Sequence, residues 1–282
     1  GKGGKGAPNH IHVFPMPDCF RGKYRGSDAA IEYANEVKVL INNIKNKGNK
    51  LGGFIIEPIL SCGGQVELPE GFLKNIYHQV RKAGGLCISD EVQTGFGRVG
   101  RTFWGFELHG VIPDIITLGK PMGNGHPVAA VVCSEQVAYK FANGMEFFNT
   151  FGGNPVSCAI AKEVLEVVLD KQLQYNALKV GEYLKSELKK LANKNPIMGS
   201  IRGQGLFLGI ELVSKNKDPL AEHASYLVNR MKKNGVLMSI DGPDNNVIKI
   251  KPPIIFSKQN SKRLIITLSK ILREDFMQIY QN

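Results

Sequence analysis

The amino-acid sequence predicts an α/β fold in two parts: a large domain over residues 1–193 carrying a mainly parallel sheet, and a smaller C-terminal α/β domain over 194–282. Three observations carry this. Residues 27–118 alternate helix-period stretches with short apolar runs, the signature of β-α-β units with short connections. After Asn195-Pro196 the character of the sequence changes. At 282 residues, 43% hydrophobic and 22% charged, the chain has material for one large domain or two smaller ones.

Ser27 is placed to cap a helix running to about Lys47, with Ala30, Ile31, Ala34, Val37, Ile41 and Ile44 on one face and Gly48 as its stop. Gly53-Phe-Ile-Ile-Glu57 reads as a buried strand. Pro69 opens a helix carrying Phe72, Leu73, Ile76 and Val80, which Gly84-Gly85 ends. Strands follow at Leu86–Ser89, Asp114–Leu118 and Val128–Cys133. Asn154-Pro155 starts a helix whose apolar positions are Ile160, Val164, Leu165, Val167 and Val168, and a second helix covers about 175–192. The C-terminal part reads as strands Ile201–Leu212, Val236–Ile240 and Val247–Ile250, with helices at about 219–233 and 258–275.

Lys and Arg exceed Asp and Glu by 11 (36 against 25). They are spread along the chain with mild enrichment over 179–194, without a polybasic block, so a solvated surface is a better reading than a nucleic-acid or membrane face. A positive field also suits anionic substrates and cofactors. The five cysteines (Cys19, Cys62, Cys87, Cys133, Cys158) form no C-x-x-C pair and read as reduced, mostly buried thiols of an intracellular protein. The six histidines lack ligand spacing, and no metal is expected. No apolar run approaches membrane-spanning length and no secretory signal opens the chain. The start, Gly1-Lys-Gly-Gly-Lys-Gly6, looks like a loop entered midway, which leaves an upstream targeting segment open, and with it the choice between cytoplasm and mitochondrion.

The chemistry concentrates where two predicted strands end. Asp90-Glu91-Val92-Gln93 follows one, and Lys120 stands in the glycine-rich run Gly119-Lys-Pro-Met-Gly-Asn-Gly125 after the other. Ligands of an open parallel sheet sit beyond these carboxyl ends. Taken singly, Lys120 is as readily a surface lysine in a turn, and Asp90 a loop cap or an arginine's partner. Taken together, an amine and a carboxylate suit pyridoxal phosphate, whose aldehyde takes a lysine and whose ring nitrogen takes a carboxylate. Val92 is then placed to lie against the ring, and Gln93 to hydrogen-bond its phenolic oxygen. Thr150-Phe-Gly-Gly-Asn-Pro155 offers a phosphate cup of hydroxyl and backbone N–H groups, or a helix cap by Asn154, or both. Gly95-Phe-Gly-Arg-Val-Gly100 matches G-x-G-x-x-G, but no long apolar-faced helix opens after it, which argues against nicotinamide or flavin binding.

These residues together resemble the class-III aminotransferase family, of fold-type I pyridoxal-phosphate architecture. The matching runs are Glu57-Pro58, DEVQTGFGRVG (90–100), PDIITLGKPMGNG (113–125), NTFGGNP (149–155), IRGQGLFLGI (201–210) and KIKPP (249–253), in order along nearly the whole chain. The resemblance implies that Lys120 is the Schiff-base lysine, Asp90 the ring-nitrogen partner and Gln93 the phenolic-oxygen partner. It implies that Thr150 reaches the cofactor phosphate of the opposite subunit, so the active unit is a homodimer. The family's N-terminal third, with its phosphate loop and its ring-stacking aromatic, has no counterpart before His10, which raises the reading of an inactive fragment.

Two departures bear on the reaction. Typical members have an arginine where Lys249 stands and a glutamate where Cys62 stands; the arginine grips a substrate carboxylate at two points, which lysine cannot reproduce. With Ser61-Cys62-Gly-Gly-Gln65, these departures resemble a phospho-lyase-like branch acting on phosphoethanolamine or phosphohydroxylysine. Phosphate elimination from a phosphorylated primary amine, giving an aldehyde and ammonia, is therefore the first expectation, and amino transfer to a 2-oxo acid the alternative. Lys249, Arg202 and Cys62 are the candidate substrate-binding residues.

Overall fold

The computed structural model describes residues 4–279. In chain order the elements are α1 (Ala29–Asn46), β1 (Gly53–Ile56), β2 (Ile59–Leu60), β3 (Val66–Glu67), α2 (Phe72–Lys82), β4 (Leu86–Asp90), β5 (Ile115–Leu118), β6 (Ala130–Cys133), α3 (Glu135–Phe141), α4 (Pro155–Asp170), α5 (Leu173–Ala192), β7 (Met198–Gln204), β8 (Phe207–Leu212), α6 (Ala221–Lys233), β9 (Ser239–Asp241), β10 (Val247–Ile250) and α7 (Lys258–Ile271). Two compact units emerge, residues up to 54 with 68–87, and 55–67 with 88 onward.

In the first unit α1 packs on α2. Ala30, Ala34, Val37, Ile41 and Ile44 are buried as the periodicity predicts. Ile31 is not: it is 57% exposed, and Tyr33 is buried instead. At about 100° per residue, position 31 falls well off the stripe through 30, 34, 37 and 41, while 33 lies at its edge. The Tyr33 hydroxyl is satisfied inside, donating to Asp18 O at 3.2 Å. Ser27 does not cap the helix; Asp28 holds that position without a side-chain bond to the first turn, and Ser27 Oγ bonds Asp28 Oδ1 at 3.1 Å. On α2, Phe72, Leu73, Ile76 and Val80 are buried.

The first sheet has the order β1-β4-β5-β6. β4 and β5 are parallel, and β6 returns antiparallel to β5, so the sheet is mixed. The second sheet, β7-β8-β10-β9, is antiparallel throughout. The run predicted as one strand over 201–212 is a hairpin turning at Gly205-Leu206. Its core joins Leu184 and Leu188 of α5 to Leu208, Ile210, Leu227 and Leu268. A mixed sheet and an antiparallel C-terminal sheet, four strands each, are the two sheets of this fold-type I α/β architecture.

Three further expectations change. The β2–β3 hairpin and α3 went unpredicted, being two-residue strands and a seven-residue helix with no buried residues. On α4, Val168 is buried, but Leu165 is 36% exposed. The cysteines are all free, yet only Cys87 is buried, while Cys133 is half-buried and Cys19, Cys62 and Cys158 are exposed. Among the described residues no helix is long and apolar enough to cross a membrane.

Candidate active site

Parallel pairing places Asp90, the last residue of β4, opposite Thr117 of β5, and Glu91 N–H continues the ladder to Thr117 O at 3.0 Å. Lys120 stands three residues past Thr117, so the carboxylate and the amine emerge from neighbouring strand ends. Asp90 Oδ1 accepts from Val92 N–H at 3.0 Å, a local turn that orients the carboxylate. Val92 lies beside Gly119: a Cβ built there would stand 3.6 Å from a Val92 methyl. Lys120 is exposed and has φ +29°, outside the regions that L-residues ordinarily adopt. Strain of this kind is held by surrounding structure and clusters at functional sites.

Glu91 is the hub beneath. Fully buried, its carboxylate accepts from Gly105 N at 2.7 Å, Phe106 N at 2.8 Å, Thr94 Oγ1 at 2.8 Å and Ser89 Oγ at 3.2 Å. Burial pushes its pKa up, and the hydrogen bonds hold it partly down. The loop it anchors contains the glycine motif at 95–100. Gly100 has φ +74°, and a Cβ there would come within 2.6 Å of the Leu178 backbone on α5. A short 3-10 helix, Gly105–His109, follows in place of a long helix. Close packing therefore accounts for this glycine. Arg98 reaches Pro252 O at 2.5 Å and Leu206 O at 3.3 Å, tying the loop to the C-terminal sheet. Burial lowers its pKa to about 10.

The C-terminal sheet brings two lysines to the same region. Lys249 Nζ lies 2.7 Å from Asp241 Oδ2, which also accepts from Gln65 Nε2 at 2.9 Å. Lys251 Nζ donates to Gln93 Oε1 at 2.6 Å. Gln93 Nε2 in turn donates to Ser61 Oγ, and Ser61 binds Glu57 through Oγ (2.5 Å) and N–H (2.6 Å). Lys251 is half-buried, and burial followed by the charges of Arg98, Lys249 and Lys120 lowers its pKa to about 8. An open cavity of about 720 Å³ borders Lys249, Lys251 and Arg263.

Asp90, Val92, Gln93, Lys120 and Lys249 thus share one neighbourhood. Cys62 is exposed, and its carbonyl accepts from Gly242 N–H at 3.1 Å, beside the Asp241 that holds Lys249. Arg202 is placed differently: it is buried, with NH1 2.5 Å from Glu211 Oε2 and Nε donating to Gly64 O at 2.7 Å. Thr150 is exposed. Asn154 caps α4 through Val156 N–H at 3.0 Å and Ser157 N–H at 3.2 Å, so the expected cap is there. Glu57, Ser61, Glu91 and Lys251 were not singled out. Glu57 and Lys251 lie in the Glu57-Pro58 and KIKPP runs, but nothing local distinguishes their roles. The donor set (amine, carboxylate, primary amide, and an apolar side chain beside bare glycine backbone) fits pyridoxal phosphate.

Comparison with known proteins agrees. Residues 2–272 match the aminotransferase class-III family. The chain is 46% identical to an alanine–glyoxylate aminotransferase 2-like protein of Drosophila melanogaster, over 96% of this chain and 56% of that one. It is 40% identical to the ethanolamine-phosphate phospho-lyase homolog 1 of Caenorhabditis elegans, over 94% and 60%. Among solved structures, a phospholyase from Arthrobacter in complex with phosphoethanolamine superposes with a TM-score of 0.90 at 35% identity, covering 95% of this chain and 64% of that one. An (S)-enantioselective omega-transaminase from Thermomicrobium roseum gives 0.86 at 29% identity, covering 96% and 62%. The chain therefore belongs to the class-III aminotransferase family of pyridoxal-phosphate-dependent enzymes. It spans little more than half the length of the curated relatives it matches.

Proposed function

We propose that the protein acts on a primary amine with Lys120 as its catalytic lysine. The observation that carries this is Lys120 at φ +29° on the turn after β5, beside the strand end that presents Asp90. When bound, pyridoxal phosphate supplies an aldehyde for the lysine amine and a ring that accepts an electron pair from the substrate carbon. Asp90, oriented by Val92 N–H, keeps a carboxylate for the protonated ring nitrogen. Val92 covers one ring face, and Gln93 serves the phenolic oxygen. Lys120 Nζ would take the proton from the amine-bearing carbon of the substrate. Thr150 reaches the cofactor phosphate of the second subunit in a homodimer. The exposed Phe147, Phe148 and Phe151 around it, 73–81% accessible, support an interface there.

Amino transfer to a 2-oxo acid is the outcome we favour, since relatives named alanine–glyoxylate aminotransferase 2 also occur in Arabidopsis thaliana and Homo sapiens, at 44% and 38% identity. Phosphate elimination from phosphoethanolamine or phosphohydroxylysine is the second reading. Its specific support is the cationic group of Lys249, Lys251 and Arg98 where the family's arginine fork is absent. Lysine point charges suit a phosphate as well as a carboxylate. Assaying phosphoethanolamine for inorganic phosphate release, against amino transfer from alanine to glyoxylate, separates the two. Loss of both activities in the full-length protein would contradict the proposal.

A further inference from the structure

We infer that Lys251 is a positioning residue: its donation to Gln93 Oε1 fixes which way round the Gln93 amide stands, and so keeps Nε2 as the group offered to the phenolic oxygen. This rests on the reading of Gln93 given under Proposed function. An ammonium group has only protons to give, so it must face the amide oxygen. The Lys251 Nζ to Gln93 Oε1 distance is 2.6 Å. At the other end, the Ser61 hydroxyl donates to Glu57 Oε1 at 2.5 Å, which leaves its oxygen to accept from Gln93 Nε2. The chain Lys251 → Gln93 → Ser61 → Glu57 therefore runs one way, from a cation to a carboxylate. Gln93 is 8% exposed, so little water competes for its amide. Nε2 carries two hydrogens; Ser61 takes one, and the second is kept for the cofactor.

The same geometry makes the arrangement sensitive to proton loss. Burial first, then Arg98 from the loop after β4, Lys249 on β10 and Lys120 after β5, all act on Lys251 to release its proton, and Asp241 on β9 opposes them. The Phe207 ring of β8 lies 5.9 Å from its Nζ. The pKa of about 8 puts the loss within a working range. A neutral amine can accept as well as donate, and the amide is then free to turn over.

Two measurements on the full-length protein test this. The first follows the Gln93 side-chain amide by ¹⁵N NMR against pH, without cofactor. Its signal is expected to move with a midpoint near 8 in the wild type. In Lys251→Arg it should stay at the low-pH position, and in Lys251→Met the titration should vanish. An amide signal that does not respond to Lys251→Met overturns the inference. The second follows the visible absorbance of bound cofactor against pH in Lys251→Met, Gln93→Ala and the double variant. Lys251→Met should raise the absorbance midpoint by about one pH unit, and add nothing further once Gln93 is alanine. Equal shifts in both backgrounds would show that Lys251 acts through its charge alone, and would overturn it too. If the wild type binds no cofactor, the functional reading fails, and the NMR measurement alone decides the orientation of the amide.

Discussion

Lys249 Nζ sits 2.7 Å from Asp241 Oδ2, one strand away in the C-terminal sheet. The partner of this cation is therefore an aspartate on β9, and the residue at position 62, where the family places a glutamate, is an exposed cysteine. If Lys249 receives the substrate's anion, Lys249→Ala should raise KM for an anionic amine by about tenfold, equivalent to about 1.4 kcal/mol. An amine without the anion should be handled alike by both proteins. Steady-state kinetics on such a pair of substrates checks this.

Asp90→Asn keeps an oxygen to accept from Val92 N–H but removes the charge. The turn should survive, with an unchanged melting temperature, while turnover falls by at least about tenfold. An unchanged rate would remove Asp90 from the site.

Glu91 is a matter of stability. Glu91→Gln keeps the volume but supplies one acceptor oxygen to a cluster of four donors, and should cost about 2–3 kcal/mol in denaturant unfolding. The native pKa of Glu91 lies above its ordinary 4.5. Its contribution is therefore fullest below about pH 4.5 and declines as pH rises through the native value. The gap between wild type and variant should be wider at about pH 4 than at about pH 7.

Gly205 has φ +55°, and a Cβ there would stand 2.5 Å from the Val99 carbonyl carbon. Gly205→Ala should destabilise by more than about 2 kcal/mol, because the obstacle is backbone and cannot swing away. Calorimetric melting measures it. A neutral result would undo the packing account of the loop at 95–100.

What could be read from the chain follows the range of the forces involved. α2, β4 and β5 were legible because periodicity and flanking glycines are local. The placement of Asp90 and Lys120 at neighbouring strand ends was legible because the apolar runs before them are local signals. The Lys251–Gln93 bond joins residues 158 apart, and neither position carries a local mark of the other. Glu91 read only as part of a motif, since two of its four donors, Gly105 N–H and Phe106 N–H, lie 14 and 15 residues on in an irregular loop. Tyr33 was passed over for Ile31 because hydropathy ranks the isoleucine higher, although the helix angle favours the tyrosine. Arg202 stood in a family motif that says nothing of its burial against Glu211.

The most direct test of the central claim is borohydride reduction of the full-length protein with pyridoxal phosphate, followed by peptide mapping. The account predicts a pyridoxyl label on the peptide containing Lys120, and its loss in a Lys120→Ala variant that keeps the wild-type circular dichroism. A label on another lysine, or none on Lys120 in cofactor-saturated protein, would contradict it.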